Sequence, residues 1–219
     1  MVQLFPFTKV GGHRVNEDSF AARVHSSNPE CWIACLADGQ GGRAGGARAS
    51  QLACEIVVAS ASARRHAALS DSQDWQAILA EADRGVATDR EAGFTTLIGL
   101  CIQNNWLVGA SCGDSAVVVV SQGSVEIPTS RQFKNPPVGS GEADFIPFEM
   151  KLKAPWRVLV VSDGVWKYCG WDAMSAAALN TGGDVLLSHL QSIARLPGSG
   201  AFPDDFTVVL IESQAESNS

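Results

Sequence analysis

The chain has 219 residues, of which 46% are hydrophobic and 18% charged, and its formal net charge is −7. This length and composition suit one domain with a substantial core. The acidic balance, without a basic run to offset it, argues against a nucleic-acid or anionic-membrane partner. No apolar stretch approaches the roughly 18 residues that a membrane span needs, so we expect a cytoplasmic protein with no membrane partner.

The first part of the chain predicts two strands around a short charged loop. Residues 3–10 alternate as an edge strand does, and a strand-like pattern resumes over residues 20–25. The loop between them begins with two glycines, and its charges alone are typical of solvated surface. His13 is predicted to be a loop histidine without a role in the site. The charged residues that follow it are Arg14, Glu17 and Asp18.

The central stretch is a short apolar run, CWIACLA, that ends in Asp38. Five glycines in the eight residues 39–46 and an alanine-rich helical pattern follow, which predicts strand, acid, glycine loop and helix. A carboxylate at the tip of a buried strand is costly unless a cation pairs with it, and a metal ion is the natural partner. The alternative is that Asp38 only caps the next helix. This stretch alone leaves both interpretations open.

Two helices and a run of strands are predicted next. Residues 44–68 favour one long helix, and Asp71 can cap a second. From residue 94 the period changes to that of an antiparallel meander, which Asp114 interrupts as a turn residue would. The apolar residues of the second helix recur at helical spacing: Trp75, Ile78, Leu79, Ala82 and Val86.

The last third combines an irregular excursion with a second acid-tipped strand. Residues 124–154, rich in proline, predict a surface excursion with one strand over 145–152. The buried run WRVLVV then leads to Asp163. Helices are predicted over 171–179 and 184–194, before a final strand that follows Asp204 and Asp205.

Acids therefore stand at the ends of two apolar strands, beside a third and in the charged loop. Carboxylate oxygens suit Mg²⁺ or Mn²⁺, which keep several waters and leave room for a phosphate. Two such ions about 4 Å apart can hold a hydroxide for in-line attack on phosphorus. The pattern indicates a metal-dependent hydrolase. The six cysteines, without a CxxC pair, are expected to be reduced and buried.

Six motifs resemble, in order, those of the metal-dependent serine/threonine protein phosphatases of type 2C, in a compact, bacterial-type single-domain form. They are GHRVNED, ADGQGGRAGGARAS, FTTLIGL, ASCGDSAV, VVSDGVW and PDDFTVVLI. The fold that this implies is α+β, a four-layer α/β/β/α sandwich of two antiparallel sheets flanked by helices. It implies a catalytic domain over residues 1–212 and a disordered polar tail over 213–219.

The resemblance implies that a hydroxide bridging two Mn²⁺ or Mg²⁺ ions attacks phosphoserine or phosphothreonine. Asp38 would bridge both ions, and Gly39 would offer its carbonyl. Arg14 would bind the phosphate, for which a guanidinium fork is suited. The substrate would be a phosphorylated protein, with a cognate kinase as a possible partner, and the enzyme a monomer. The other implied ligands are Asp163 and Asp204 at the first ion, Glu17 and Asp18 at the second, and Asp114 at a third.

Several positions depart from the family pattern. Lys167 stands where an acid would help Asp114 to hold a third ion, so the resemblance supports two ions rather than three. Asp205 replaces the usual asparagine, and Ala116 the usual arginine. Gln40 replaces a histidine proposed as general acid in some members, so the leaving-group proton would come from water. The flap before the WRVLVV strand is short.

Two other protein classes share part of this pattern. GQGGRA partly mimics a dinucleotide-binding loop, but no acid-tipped second strand follows, since Glu55 falls within the predicted helix. The second rival is a catalytically weak or dead relative that acts as a phosphoprotein-binding regulatory module. Loss of an acid that binds the ions directly would be its mark, and no such acid is lost here.

Overall fold

The computed structural model of the chain describes residues 1–40 and 45–213. Its strands are β1 (Val2–Lys9), β2 (Asp18–His25), β3 (Asn28–Asp38), β4 (Leu97–Gln103), β5 (Trp106–Cys112), β6 (Ala116–Ser121), β7 (Ser124–Glu126), β8 (Ile146–Lys151), β9 (Trp156–Val161) and β10 (Phe206–Ser213). Its helices are α1 (Gly46–Ala63), α2 (Ser72–Thr88), α3 (Asp163–Cys169), α4 (Trp171–Asn180) and α5 (Gly183–Ala194).

The strands form two five-stranded sheets, and every strand pairing is antiparallel. One sheet has the order β1-β10-β9-β6-β7 and the other β2-β3-β4-β5-β8. The two sheets stack through a core that includes Leu36, Leu100, Val160 and Ile211. Strands with a buried residue at nearly every position, such as β4 and β6, are explained by this stacking, since both of their faces are covered.

A helical layer covers the outer face of each sheet. Helices α1 and α2 pack on the β2–β8 sheet around Trp75, Leu79 and Val57. Helices α3, α4 and α5 pack on the other sheet around Phe206 and Leu190. The predicted α+β fold with four layers, α/β/β/α, is therefore confirmed.

The structure corrects the meander prediction. β4 and β5 form a hairpin as expected, but β5 pairs next with β8, whereas β6 pairs with β7 and β9 in the other sheet. The chain therefore crosses between sheets at residues 113–115. Asp114 lies at this crossing rather than in a hairpin turn. Periodicity shows that a strand exists but does not show which sheet receives it.

Helix boundaries also differ from the sequence prediction. The helix expected over 44–68 ends at Ala63, because Arg64 adopts an extended conformation. The short α3 was not predicted, since seven residues carry too little periodicity to identify a helix. Asp71 caps α2 as expected by accepting a hydrogen bond from the Gln73 amide (2.9 Å).

The six cysteines are free and buried, as predicted. None of the helices among residues 1–40 and 45–213 combines the length and apolar character needed to cross a bilayer. Ser213 belongs to β10, and the rest of the predicted tail, residues 214–219, lies outside the described residues. Part of the glycine loop, residues 41–44, also lies outside them.

Candidate active site

A cavity of about 450 Å³ lies at one end of the stacked sheets. Because neighbouring strands are antiparallel, the ends of β3 and β9 lie beside the starts of β2 and β10, and the acids at these points meet. The predicted site residues that line this cavity are Asp38, Gly39, Asp114, Asp163 and Asp204. The fold therefore brings five of the predicted site residues together.

Asp38 is the last residue of β3 and is held through its backbone. Its amide donates to Thr96 Oγ1 (3.0 Å), and its carbonyl accepts from the Thr96 amide and Thr95 Oγ1 (both 2.8 Å). The helix-cap alternative for Asp38 is wrong, because α1 begins after Gly45. The two threonines of the FTT motif thus position the carboxylate-bearing residue at the cavity.

Asp18 and Glu17 lie next to Asp38 and Gly39 but are not among the residues that line the cavity. Asp18 stands directly opposite Asp38 in the β2–β3 register, and the Glu17 carbonyl accepts from the Gly39 amide (3.0 Å). Asp18 is only 7% exposed. Among the described residues, neither oxygen of Asp18 has a hydrogen-bond partner, and neither does Glu17 Oε2. Buried carboxylate oxygens without partners are costly, which indicates that the fold leaves them for a cation.

Burial and neighbouring negative charge act on these three acids together. Burial raises the pKa of Asp38 well above its usual range, and four nearby aspartates, led by Asp18, add to the effect. Asp38 is partly open to the cavity, yet protein encloses its carboxylate on most sides. Burial raises the pKa of Asp18 to about 7. The nearby hydroxyls of Thr207 and Ser162 act in the opposite direction, although their own hydrogen bonds go to Thr8 and to the Asp205 carbonyl. Burial also raises the pKa of Glu17.

Asp205 fastens the charged loop to the start of β10. It is 4% exposed, and its carboxylate accepts from the amides of Gly11 (2.8 Å) and Glu17 (2.6 Å). A side chain at Gly11 would overlap the Asp204 carbonyl, so this close approach requires glycine. The departure from the family's asparagine therefore has a structural use, because two amides suit a carboxylate.

Two other acids of the cavity lining are paired with lysines. Lys134 Nζ lies 2.7 Å from Asp114 Oδ2, and Lys167 donates to Asp163 Oδ2 one helical turn away. Burial raises the pKa of Asp163, and the bond from Lys167 offsets this only in part. Burial acts to lower the pKa of Lys167, but the bond to Asp163 and nearby carboxylates raise it overall. Both lysines line the cavity.

The cavity is also lined by residues that the sequence did not assign to the site. His13, expected to be incidental, lines the cavity with Nδ1 3.5 Å from Asp205 Oδ2 and 3.7 Å from Asp204 Oδ1. Lys134 comes from the irregular segment, where no pattern marks it. Gln40 also lines the cavity. Arg14, by contrast, lies on the exposed loop and is not among the lining residues.

The donor set fits a hard divalent cation. Carboxylate oxygens are the ligands of Mg²⁺ and Mn²⁺, and Glu17 and Asp18 have buried oxygens that lack partners. Within residues 1–40 and 45–213, no group of three His, Cys, Asp or Glu side chains lies close enough together to form a complete metal-binding cluster. Mg²⁺ does not require such a cage, because it is usually held by one or two carboxylates and keeps several waters.

Comparisons with known proteins agree with this geometry. The family model described as "Protein phosphatase 2C" matches residues 10–182. The catalytic domain of the serine/threonine protein phosphatase PstP, solved with two manganese ions, aligns with a TM-score of 0.78 at 20% identity, covering 96% of this chain and 97% of that one. Stp1 from Staphylococcus aureus gives 0.77 at 18% identity, covering 98% and 96%.

RsbX, solved with magnesium, has a TM-score of 0.74 at 15% identity, and the alignment covers 96% of this chain and 94% of RsbX. At these identities, the solved structures show a shared fold. Among curated proteins, no sequence matches the chain.

Proposed function

Because the chain belongs to the protein phosphatase 2C family, we propose that it is a protein serine/threonine phosphatase that uses bound Mn²⁺ or Mg²⁺. The observation that carries this proposal is the facing pair of Asp18 and Asp38 beside an acid-lined cavity. Two carboxylates opposite each other on one sheet repel unless a cation lies between or beside them. The cavity next to them is large enough to admit a phosphate group.

The ions would be held by the acids that the resemblance named. Asp38, the Gly39 carbonyl, Asp163 and Asp204 would serve the first ion, and Glu17 and Asp18 the second. When bound, such a pair supplies Lewis acidity and a hydroxide nucleophile at neutral pH. Thr95 and Thr96 keep Asp38 in place during this chemistry through their three bonds to its backbone.

The positive groups of the chain would receive the phosphate. Lys134 and Lys167 already line the cavity, so their ammonium groups can donate to phosphate oxygens without a change of fold. Arg14 remains a proposed phosphate ligand from the family pattern. It would approach from the exposed loop that Asp205 fastens.

The setting of this activity is also proposed. The substrate would be a phosphorylated protein whose phosphate a kinase supplies, and the enzyme would act as a monomer. Free, buried cysteines support a reducing compartment, and therefore the cytoplasm. The catalytic domain would take up residues 1–212.

The test is turnover of phosphoserine and phosphothreonine peptides with Mn²⁺ or Mg²⁺, and its loss on adding a chelator. Asp38→Ala and Asp163→Ala should each reduce turnover roughly 100-fold or more, because each removes a ligand. Glu30→Ala is a matched control, since Glu30 is exposed at the other end of β3. If phosphopeptides bind but are not turned over with either metal, the chain is a binding module instead.

A further inference from the structure

A second depression of about 380 Å³ adjoins the acid-lined cavity. We call it the apolar groove. It shares Gly113, Asp114 and Lys134 with the cavity and continues past them to Ala116, Ile127 and Trp171. Its volume lies in the range of ligand pockets, roughly 300–1,000 Å³. A molecule with one group in the cavity can therefore extend directly into the groove.

One wall of the groove is a fixed aromatic platform. Trp171 stacks on Trp166 with ring centroids 5.2 Å apart and planes 14° apart. Trp166 Nε1 donates to the Asp114 carbonyl (2.9 Å). The aromatic pair is therefore tied to the residue at which the cavity and the groove meet.

The other wall, formed by residues 127–134, is also held in place. The Gly113 amide donates to the Phe133 carbonyl (2.7 Å), and the Val117 amide donates to Thr129 Oγ1 (3.0 Å). The first bond anchors the wall to the segment that crosses between the sheets, and the second anchors it to β6. A groove whose walls are already ordered loses little entropy when it is filled.

Charge in the groove is confined to its junction with the cavity. Asp114 and Lys134 are the charged residues among its described lining, and they pair with each other at 2.7 Å. Past this pair the lining is aromatic, aliphatic or uncharged polar. An uncharged, apolar side chain suits this lining, whereas a charged one would lose hydration without gaining a partner.

We propose that the groove is a specificity subsite for a bulky apolar residue close to the phosphorylated residue of the substrate. This proposal rests on the phosphatase function proposed above. An extended peptide advances about 3.3–3.6 Å per residue, so a side chain one or two positions from the phosphoresidue reaches an adjoining subsite. The occupant is therefore an extended phosphorylated segment with leucine, methionine or phenylalanine at such a position.

The experiment compares matched phosphothreonine peptides that carry either leucine or serine at one varied position. The varied position is one of the two residues before or the two residues after the phosphothreonine. At the preferred position, leucine should raise kcat/KM about fivefold or more, since its burial is favourable. Trp171→Ala and Ile127→Ser should each bring the ratio of kcat/KM for the leucine peptide to that for the serine peptide closer to one. Trp106→Ala should keep the preference for leucine, because Trp106 is an exposed tryptophan at the other end of β5.

A small aryl phosphate without flanking residues separates the possible outcomes. The two groove variants should hydrolyse it as the unaltered enzyme does, which also shows that they fold. If the enzyme turns over neither this compound nor any peptide, the phosphatase function itself fails. If it turns over all of them but leucine and serine peptides are equal at every position, or the preference survives in both variants, the groove proposal is overturned.

Discussion

On one side of the site, Glu17, Asp18 and Asp38 form no ion pair with any described residue. We call them the unpaired acids. On the other side, Asp114 and Asp163 each contact an ammonium group of the chain itself, from Lys134 and Lys167. We call these the lysine-paired acids.

The contrast shows how one residue type can serve two purposes in one site. The charge of the unpaired acids is left for a cation from outside, and until it arrives their protons are held more tightly than usual. The lysine-paired acids already contact cations of the chain, so Asp163, a proposed ligand of the first ion, would share its carboxylate between Lys167 and that ion. We therefore expect the two sides to respond differently to metal, to pH and to substitution.

The largest expected effect is on the stability of the metal-free protein. An unfolded aspartate loses its proton near pH 3.9, whereas the folded pKa of Asp18 is raised to about 7. Between these values the folded state binds the extra proton, so the contribution of Asp18 to stability is fully present below about pH 3.9 and is lost as pH rises through about 7. In chelator, urea unfolding should show a loss of about 2–3 kcal/mol between pH 5 and pH 7.5.

Added Mn²⁺ should restore this stability at pH 7.5, because an ion that binds only the folded state stabilises it. Asp18→Asn should flatten the pH dependence in chelator, while Glu30→Gln, at the exposed end of β3, should leave it unchanged. A metal-free protein that becomes more stable from pH 5 to pH 7.5 would contradict the assignment of the unpaired acids.

An intermediate effect is expected from the lysines. Lys134→Ala and Lys167→Ala should each raise KM for a phosphopeptide, and the inhibition constant for inorganic phosphate, about two- to fivefold. The effect is modest because the Lys134 and Lys167 side chains are 62% and 40% exposed, so water screens them. In calorimetry, metal affinity should stay nearly constant in Lys134→Ala. In Lys167→Ala it should rise or stay the same, because the substitution removes a positive charge beside Asp163, a proposed ligand of the first ion.

Arg14→Ala tests whether the phosphate instead binds next to the charged loop that carries Arg14, close to the unpaired acids. As a proposed phosphate ligand, Arg14 should also affect KM and leave metal affinity nearly unchanged. If Arg14→Ala alone raises KM while both lysine variants match the unaltered enzyme, the phosphate does not contact the lysines.

The difference between the two sides also explains what the sequence could predict. Asp38 and Asp163 each follow an apolar run, so the local sequence is enough to predict a strand that ends in an acid. Antiparallel pairing then brings such tips together. The ordered motifs correctly indicated the family and the four layers.

The lysine side was harder to predict, because its parts come from segments without periodicity. Lys134 lies in an irregular stretch, and its contact with Asp114 depends on where the chain crosses between the sheets. His13 reaches the cavity only because Asp205 fastens its loop. These contacts are long-range, and a local pattern carries no information about them.

The smallest expected effect, and the most direct test of the contrast, comes from Lys167→Asp. The substitution replaces an ammonium group beside Asp163 with a carboxylate and leaves Asp114 nearby, which makes the lysine-paired side resemble the unpaired one. It should create a weak additional Mn²⁺ site, with a dissociation constant of roughly millimolar order. It should also make the rate depend more steeply on Mn²⁺ concentration. Lys167→Leu removes the repulsion without supplying a ligand oxygen, so it should not create the site. If the Mn²⁺ titration of Lys167→Asp equals that of the unaltered protein, Lys167 is not the residue that excludes a third ion.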